Sequence, residues 1–173
     1  MEEGLILWMQ DIRKEDFPDI GEKAKTIAEL CNAGFPVPSC FVITHKAFLE
    51  FLEENEIKEV LRNLLKEAGN ENAADVAERV QRIILDAGLS AGLRKEIIES
   101  YSNLNVNLDV FKMVNHSTLS MIKSGRELPY VAVRSSLIAD KDYNEKPLTL
   151  LNVRGGSNII KAVQQCWASL YSE

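Results

Sequence analysis

Residues 7–44 read LWMQDIRKEDFPDIGEKAKTIAELCNAGFPVPSCFVIT, and this stretch decides how the chain folds. With Leu5 and Ile6 ahead of it, it opens on the apolar run Leu5-Ile6-Leu7-Trp8-Met9, a short buried strand by pattern. Asp16, Pro18, Asp19 and Gly21 break that run into a loop. From about Lys23 to Ala33 the pattern becomes helical, with Ile27, Leu30 and Cys31 at i, i+3 and i+4 on one face. Asn32 and Gly34 are natural stop signals for that helix. Pro36 and Pro38 stiffen an extended link. Phe41-Val42-Ile43 then reads as a second strand, with Thr44 as the N-cap of the next helix.

Working outward, the chain turns helical. Phe48, Leu49, Phe51 and Leu52 form an apolar face, and Ile57, Val60, Leu61, Leu64 and Leu65 continue it up to Gly69 and Asn70. Val76, Ala77, Val80, Ile83, Ile84 and Ala87 repeat the spacing before Gly88. Ser90 can cap a further helix with Ile97, Ile98 and Tyr101 inward, and another is predicted from Val110 to Ile122. The ordinary job of such helices is packing. Past Pro129, Val131 and Val133 alternate with Ala132 and Arg134 as in a strand. A polar loop follows from Ser135 to Pro147, then a strand from Leu148 to Val153 and a turn at Arg154-Gly155-Gly156. Ser157 is the expected N-cap of a last helix carrying Ile159, Ile160, Val163, Trp167 and Leu170. The pattern predicts one α+β domain over residues 1–173. A small mixed β-sheet, from strands near 5–9, 41–44, 130–134 and 148–153, is covered by a helical bundle inserted at about 45–125.

Composition bounds the function. The chain has 173 residues, 46% hydrophobic and 27% charged, enough to bury a core. A formal net charge of -6 argues against a nucleic-acid binder and against attachment to anionic lipid by charge. No apolar run approaches the roughly 18 residues of a membrane span, and Met1 to Gly4 lacks the basic start of a secretory leader. Three scattered Cys read as reduced thiols of a cytoplasmic protein, and two distant His give no support to a zinc site.

Chemistry concentrates in two places. Ile20-Gly21-Glu22-Lys23 sits where a loop enters a helix, whose N-terminal N–H groups favour bound phosphate. Lys23 opposes the helix dipole there, which makes sense if it faces an anion. Val133-Arg134-Ser135-Ser136 delivers a guanidinium to a strand end, where it can grip phosphate in two hydrogen bonds with Ser hydroxyls adding more. Taken singly, a surface Lys and an Arg paired to a nearby carboxylate are the commoner outcomes.

In this order the segments resemble the opening of phosphoenolpyruvate synthase and of pyruvate, phosphate dikinase. That family begins with a Trp-containing strand, a Gly-Gly-Lys loop, a helix ending in Ala-Gly, a Pro-Val-Pro-Pro-Gly-Phe link and a Val/Ile-Thr strand. Here VAVRSS at 131–136 matches its second signature, and LNVRGGSNIIKAVQQCWASLYSE at 151–173 resembles its third. The resemblance implies the first part of an ATP-grasp nucleotide-binding domain. In the complete enzyme, ATP, pyruvate and water become phosphoenolpyruvate, AMP and phosphate, by way of a His on a swivelling domain and a pyruvate-binding barrel. Lys23 falls on the family's ATP-phosphate-binding Lys and Arg134 on the Arg that contacts the nucleotide phosphates, so the two are expected to converge on one concave face. ATP and Mg²⁺ are the implied cofactors; no catalytic residue and no metal ligand carries over.

The departures matter equally. The chain stops just after Cys-Trp-Ala-Ser, so it is expected to be a partial ATP-binding module, not catalytically complete alone. Neither His45 nor His116 sits in a matching motif. Glu22 replaces the second Gly of the Gly-Gly-Lys loop, which sets a carboxylate beside a triphosphate. The acidic run after Arg-Ser-Ser is reduced to Ile138-Ala139-Asp140-Lys141, and Asp142 to Leu148 replaces a glycine-rich loop whose backbone approaches phosphate. The alternative expectation is a non-enzymatic regulatory or subunit-interaction domain that kept the fold and lost ATP. On either reading the implied partners are the remaining enzyme domains, another subunit or a second copy of the chain.

Overall fold

The computed structural model describes residues 4–69, 71–104, 127–138 and 148–171. Strand β1 (Ile6–Trp8) pairs antiparallel with β2 (Phe41–Ile43), Leu7 opposite Val42. Successive side chains of a strand point to opposite faces, and here each face has its own apolar partner. Ile6, Phe41 and Ile43 pack on the main core. Leu7 and Val42 pack on a second, smaller cluster of Met9, Ile12, Ile20, Ala24 and Ala28.

Helix α1 (Glu22–Asn32) supplies the outer wall of that second cluster. Its buried stripe is Ala24 and Ala28 with Ile27 beside them, whereas Leu30, placed inward by the spacing, is 40% exposed. Small alanines let the helix backbone lie close to the loop it covers, which shifts the contact line away from Leu30. The stop signals act as predicted. Gly34 takes φ +80°, and the Phe35 and Gly34 N–H groups donate to the Leu30 and Cys31 carbonyls at 3.0 and 3.0 Å, satisfying carbonyls a helix end leaves free.

Thr44 caps α2 (His45–Glu54): its Oγ1 accepts from the Ala47 N–H at 3.4 Å and donates to the Leu5 carbonyl at 3.1 Å, tying helix to strand. The apolar stretch that reads as one helix breaks before α3 (Lys58–Lys66). Asn55 donates from its side chain to the Phe51 and Gly88 carbonyls at 2.9 and 3.0 Å, and Glu56 turns to φ 57°. A side-chain amide that competes for helix carbonyls ends the helix where the apolar spacing alone would continue it. Helix α4 (Ala73–Asp86) buries Val76, Val80 and Ile84, and α5 (Ala91–Asn103), capped by Ser90, buries Leu93, Ile97 and Tyr101. The helix predicted from Val110 to Ile122 lies outside the described residues.

Strands β3 (Val131–Arg134) and β4 (Thr149–Val153) pair antiparallel, Arg134 opposite Thr149, with a one-residue shift in β4 at which Asn152 adopts φ 57°. Such a bulge is eased by Asn, which tolerates the left-handed region. The α+β class stands. Among the described residues, however, the strands form two separate antiparallel pairs where the pattern predicts one small mixed sheet. The long helical insertion separates β2 from β3 in sequence, and β2 and β3 face a common cavity rather than sharing a ladder.

Helix α6 (Gly156–Ala168) runs through the middle of the main core. It begins one residue before Ser157, the predicted cap, because Gly155 makes the turn at φ +90°, a conformation cheap only for glycine. Trp167 packs on Phe48 and Phe51 with ring centroids 5.3 and 4.9 Å away. Tyr101 donates its O–H to the Pro129 carbonyl at 2.7 Å and accepts from the Gly155 N–H at 2.9 Å, joining α5 to the approach of β3 and the start of α6. Among the described residues no helix is long and apolar enough to cross a membrane. Phe51 is fully buried, so Phe51→Ala, which empties the centre of this aromatic cluster, is expected to lower the unfolding free energy by about 3–5 kcal/mol in urea titrations.

Candidate functional site

The N-terminus of α1 meets the exit of β3. Gly21 precedes the helix, and a Cβ there would run into the carbonyl group and hydroxyl of Ser136. The Glu22 N–H donates to the Leu137 carbonyl at 3.0 Å, and the Ala24 N–H to Ser136 Oγ at 3.4 Å. Two motifs 112 residues apart in sequence thus touch backbone to backbone. One residue upstream, the N–H and Oγ of buried Ser135 both donate to the Leu148 carbonyl, at 3.0 and 3.4 Å, and hold the same segment to β4.

Beside this junction opens a cavity of about 1300 Å³. Gly21, Ser136 and Arg134 line one side, Phe41 and His45 another, and Trp167 lies among its apolar walls. Arg134 is exposed on the outward-facing register of β3. Lys23 is also exposed, two residues beyond Gly21, and is not among the residues lining the cavity. Among the described residues neither cation forms an ion pair or a side-chain hydrogen bond. Glu22, by contrast, is held by Lys25 Nζ at 2.7 Å, so a neighbouring cation offsets the carboxylate that stands in the Gly-Gly-Lys loop. The i, i+3 spacing of Glu22 and Lys25 is the sequence signal for that pair.

Two expectations need correction. The helix N-terminus does not present all its N–H groups to a ligand, because Glu22 and Ala24 already donate to Leu137 and Ser136. Of the hydroxyls following Arg134, Ser135 gives its proton to the Leu148 carbonyl, whereas Ser136 only accepts from the Ala24 N–H and keeps its O–H to donate. Both follow from one requirement, that buried main-chain groups find partners, and neither was legible from sequence, since the partners are so distant. Residues 139–147, where the eroded acidic run and loop fall, and His116 lie outside the described residues.

The described cysteines differ in burial: Cys31 and Cys40 are half-buried and Cys166 is buried. Cys166 lines the cavity, and burial pushes its thiol up to about 11. Cys40 is raised by burial and then by nearby Cys31.

Comparison with known proteins gives the family. Residues 17–173 match the family described as pyruvate phosphate dikinase, AMP/ATP-binding domain. The chain belongs to that family. It is 31% identical to a probable phosphoenolpyruvate synthase of Pyrococcus horikoshii, over 96% of this chain and 23% of that protein. It is 31% identical to a probable phosphoenolpyruvate synthase of Archaeoglobus fulgidus (96% and 21%) and 29% identical to the phosphoenolpyruvate synthase of Aeropyrum pernix (99% and 20%). The chain thus spans about a fifth to a quarter of these curated relatives. The match to the pyruvate phosphate dikinase AMP/ATP-binding family includes both the Gly21–Lys23 junction and the Arg134–Ser136 segment.

Gly21→Ala is expected to destabilise the fold by about 1–3 kcal/mol in urea unfolding, because its methyl meets unyielding backbone. Gly92→Ala, with open space around it in the first turn of α5, is expected to be neutral or to stabilise by up to about 1 kcal/mol. A thiol titration at pH 8 is expected to modify half-buried Cys31 before Cys166. Cys166 holds too little thiolate at that pH to react until the protein unfolds.

Proposed function

We propose that this chain binds ATP, with Lys23 and Arg134 on the phosphates and the adjoining cavity taking the rest of the nucleotide. On this reading the chain is the first part of the ATP-binding region of a phosphoenolpyruvate synthase-like phosphotransferase. Its main support is the junction at Gly21, where the segment carrying Lys23 is bonded to the segment carrying Arg134. Arg134 on the cavity wall and Lys23 two residues beyond Gly21, neither with an ion-pair or side-chain hydrogen-bond partner among the described residues, are a local departure in a chain of net charge -6 that an anionic ligand explains. At about 1300 Å³ the cavity exceeds the roughly 300–1,000 Å³ of ordinary small-molecule sites and so has room for a nucleotide. The residues therefore suit a nucleotide.

Mg²⁺ would accompany the phosphates. Such an ion is ordinarily held by one or two carboxylates together with phosphate oxygens and water. The groups that receive the phosphoryl and bind pyruvate are proposed to come from other domains, on this or another polypeptide.

A second reading, a regulatory or subunit-interaction domain without ATP, is favoured by one observation: the Glu22 and Ala24 N–H groups at the start of α1 and the Ser135 hydroxyl already donate to protein partners. Titration calorimetry with Mg-ATP separates the two. The first reading expects millimolar or tighter binding that weakens at least about tenfold in Lys23→Ala and in Arg134→Ala, the cost of losing a charge-assisted hydrogen bond. The second expects no heat from the unaltered chain.

A further inference from the structure

We infer that Ser136 is a positioning residue for the nucleotide: its hydroxyl latches the segment after Arg134 onto the start of α1 and so sets the guanidinium relative to Lys23. The inference rests on the ATP-binding reading and adds a residue that acts on phosphate through Arg134.

The latch is built from both sides. Ser135 fastens the segment to β4 through the Leu148 carbonyl, and Ser136 and Leu137 fasten it to α1 through the Ala24 and Glu22 N–H groups. Arg134 itself is fixed behind by the strand ladder opposite Thr149. The guanidinium therefore swings from a backbone pinned on either side, while its own tip has no protein partner among the described residues. A long side chain pays least entropy on gripping an anion when its root is already immobile. Gly21 makes the arrangement possible, since any side chain there would push Ser136 away. The two β pairs share no ladder, so this junction is a direct hydrogen-bonded link between the segment of Lys23 and the segment of Arg134. Ser136 Oγ accepts from Ala24 and keeps its own proton, so the hydroxyl serves the scaffold whether or not nucleotide is present.

The test is a set of Mg-ATP titrations by calorimetry on the full chain. Ser136→Ala is expected to weaken affinity roughly three- to tenfold, the range of one hydrogen bond, and Ser136→Thr, which restores a hydroxyl, to return it to within about twofold. In an Arg134→Ala background Ser136→Ala is expected to change nothing further, because the residue it positions is gone. Circular dichroism checks folding. Should Ser136→Ala unfold, the near-isosteric pair Ser136→Thr and Ser136→Val gives the same comparison of hydroxyl with methyl. Equal affinity of Ser136→Ala and the unaltered chain overturns the inference and leaves ATP binding intact. So does an equal loss with and without Arg134, which would mean that Ser136 touches phosphate itself. Absence of binding by the unaltered chain removes the ATP reading, and this inference with it.

Discussion

Main chain lies directly against main chain where Gly21 passes Ser136, and much of the structure is arranged around that contact. A helix start carries N–H groups without partners inside the helix, and burying them unpaired is costly. Here Ser136 and Leu137 satisfy them from the far end of the sequence. Because α1 belongs to the small cluster and β3 packs on the main core, the junction adds a second link between two packing units that the β1–β2 pair already joins. The cavity beside it owes its shape to that relation, and both candidate phosphate-binding cations stand on chain segments that the junction holds.

The remainder of the molecule supports that geometry from behind. The β1–β2 pair divides the two apolar clusters, so its alternating side chains anchor it on both faces. Helix α6, packed on Phe48 and Phe51 through Trp167, forms the apolar side of the cavity. Tyr101 spends its single hydroxyl on two main-chain partners, Pro129 and Gly155. That holds the approach of β3 and the start of α6 to α5 at once. The backbone carrying each candidate cation is thus held, while neither side chain pairs with a described residue.

Electrostatics in this region are local. The chain is acidic overall, yet Glu22, the acidic residue inside the Lys23 turn, is held by Lys25 at 2.7 Å. The carboxylate that replaces the second Gly of the resembled Gly-Gly-Lys motif therefore has a cation of its own. Net charge bounds the classes of partner; the pairing of individual residues decides what a given site can hold.

Period and punctuation made much of the fold legible. Alternation marked β3, the i, i+3, i+4 spacing marked the helices, Thr44 and Ser90 capped as their chemistry requires, and Gly34 ended α1. Those are local rules, decided within a turn or two of chain. The break at Asn55 and Glu56 escaped because a side-chain hydrogen bond overrode an unbroken apolar pattern, and Leu30 turned outward because alanines brought the helix closer on another line. The sequence by itself determined most of the described strands and helices, the family, and which cations to examine, because backbone preference, patterning and motif are written residue by residue. Only the tertiary structure decided that the strands form two pairs, that Ser135 and Ser136 serve the scaffold, and that the Lys23 and Arg134 segments meet at Gly21. Those outcomes depend on partners far along the chain, and the cost of unsatisfied polar groups selects among such partners only once the whole core is packed.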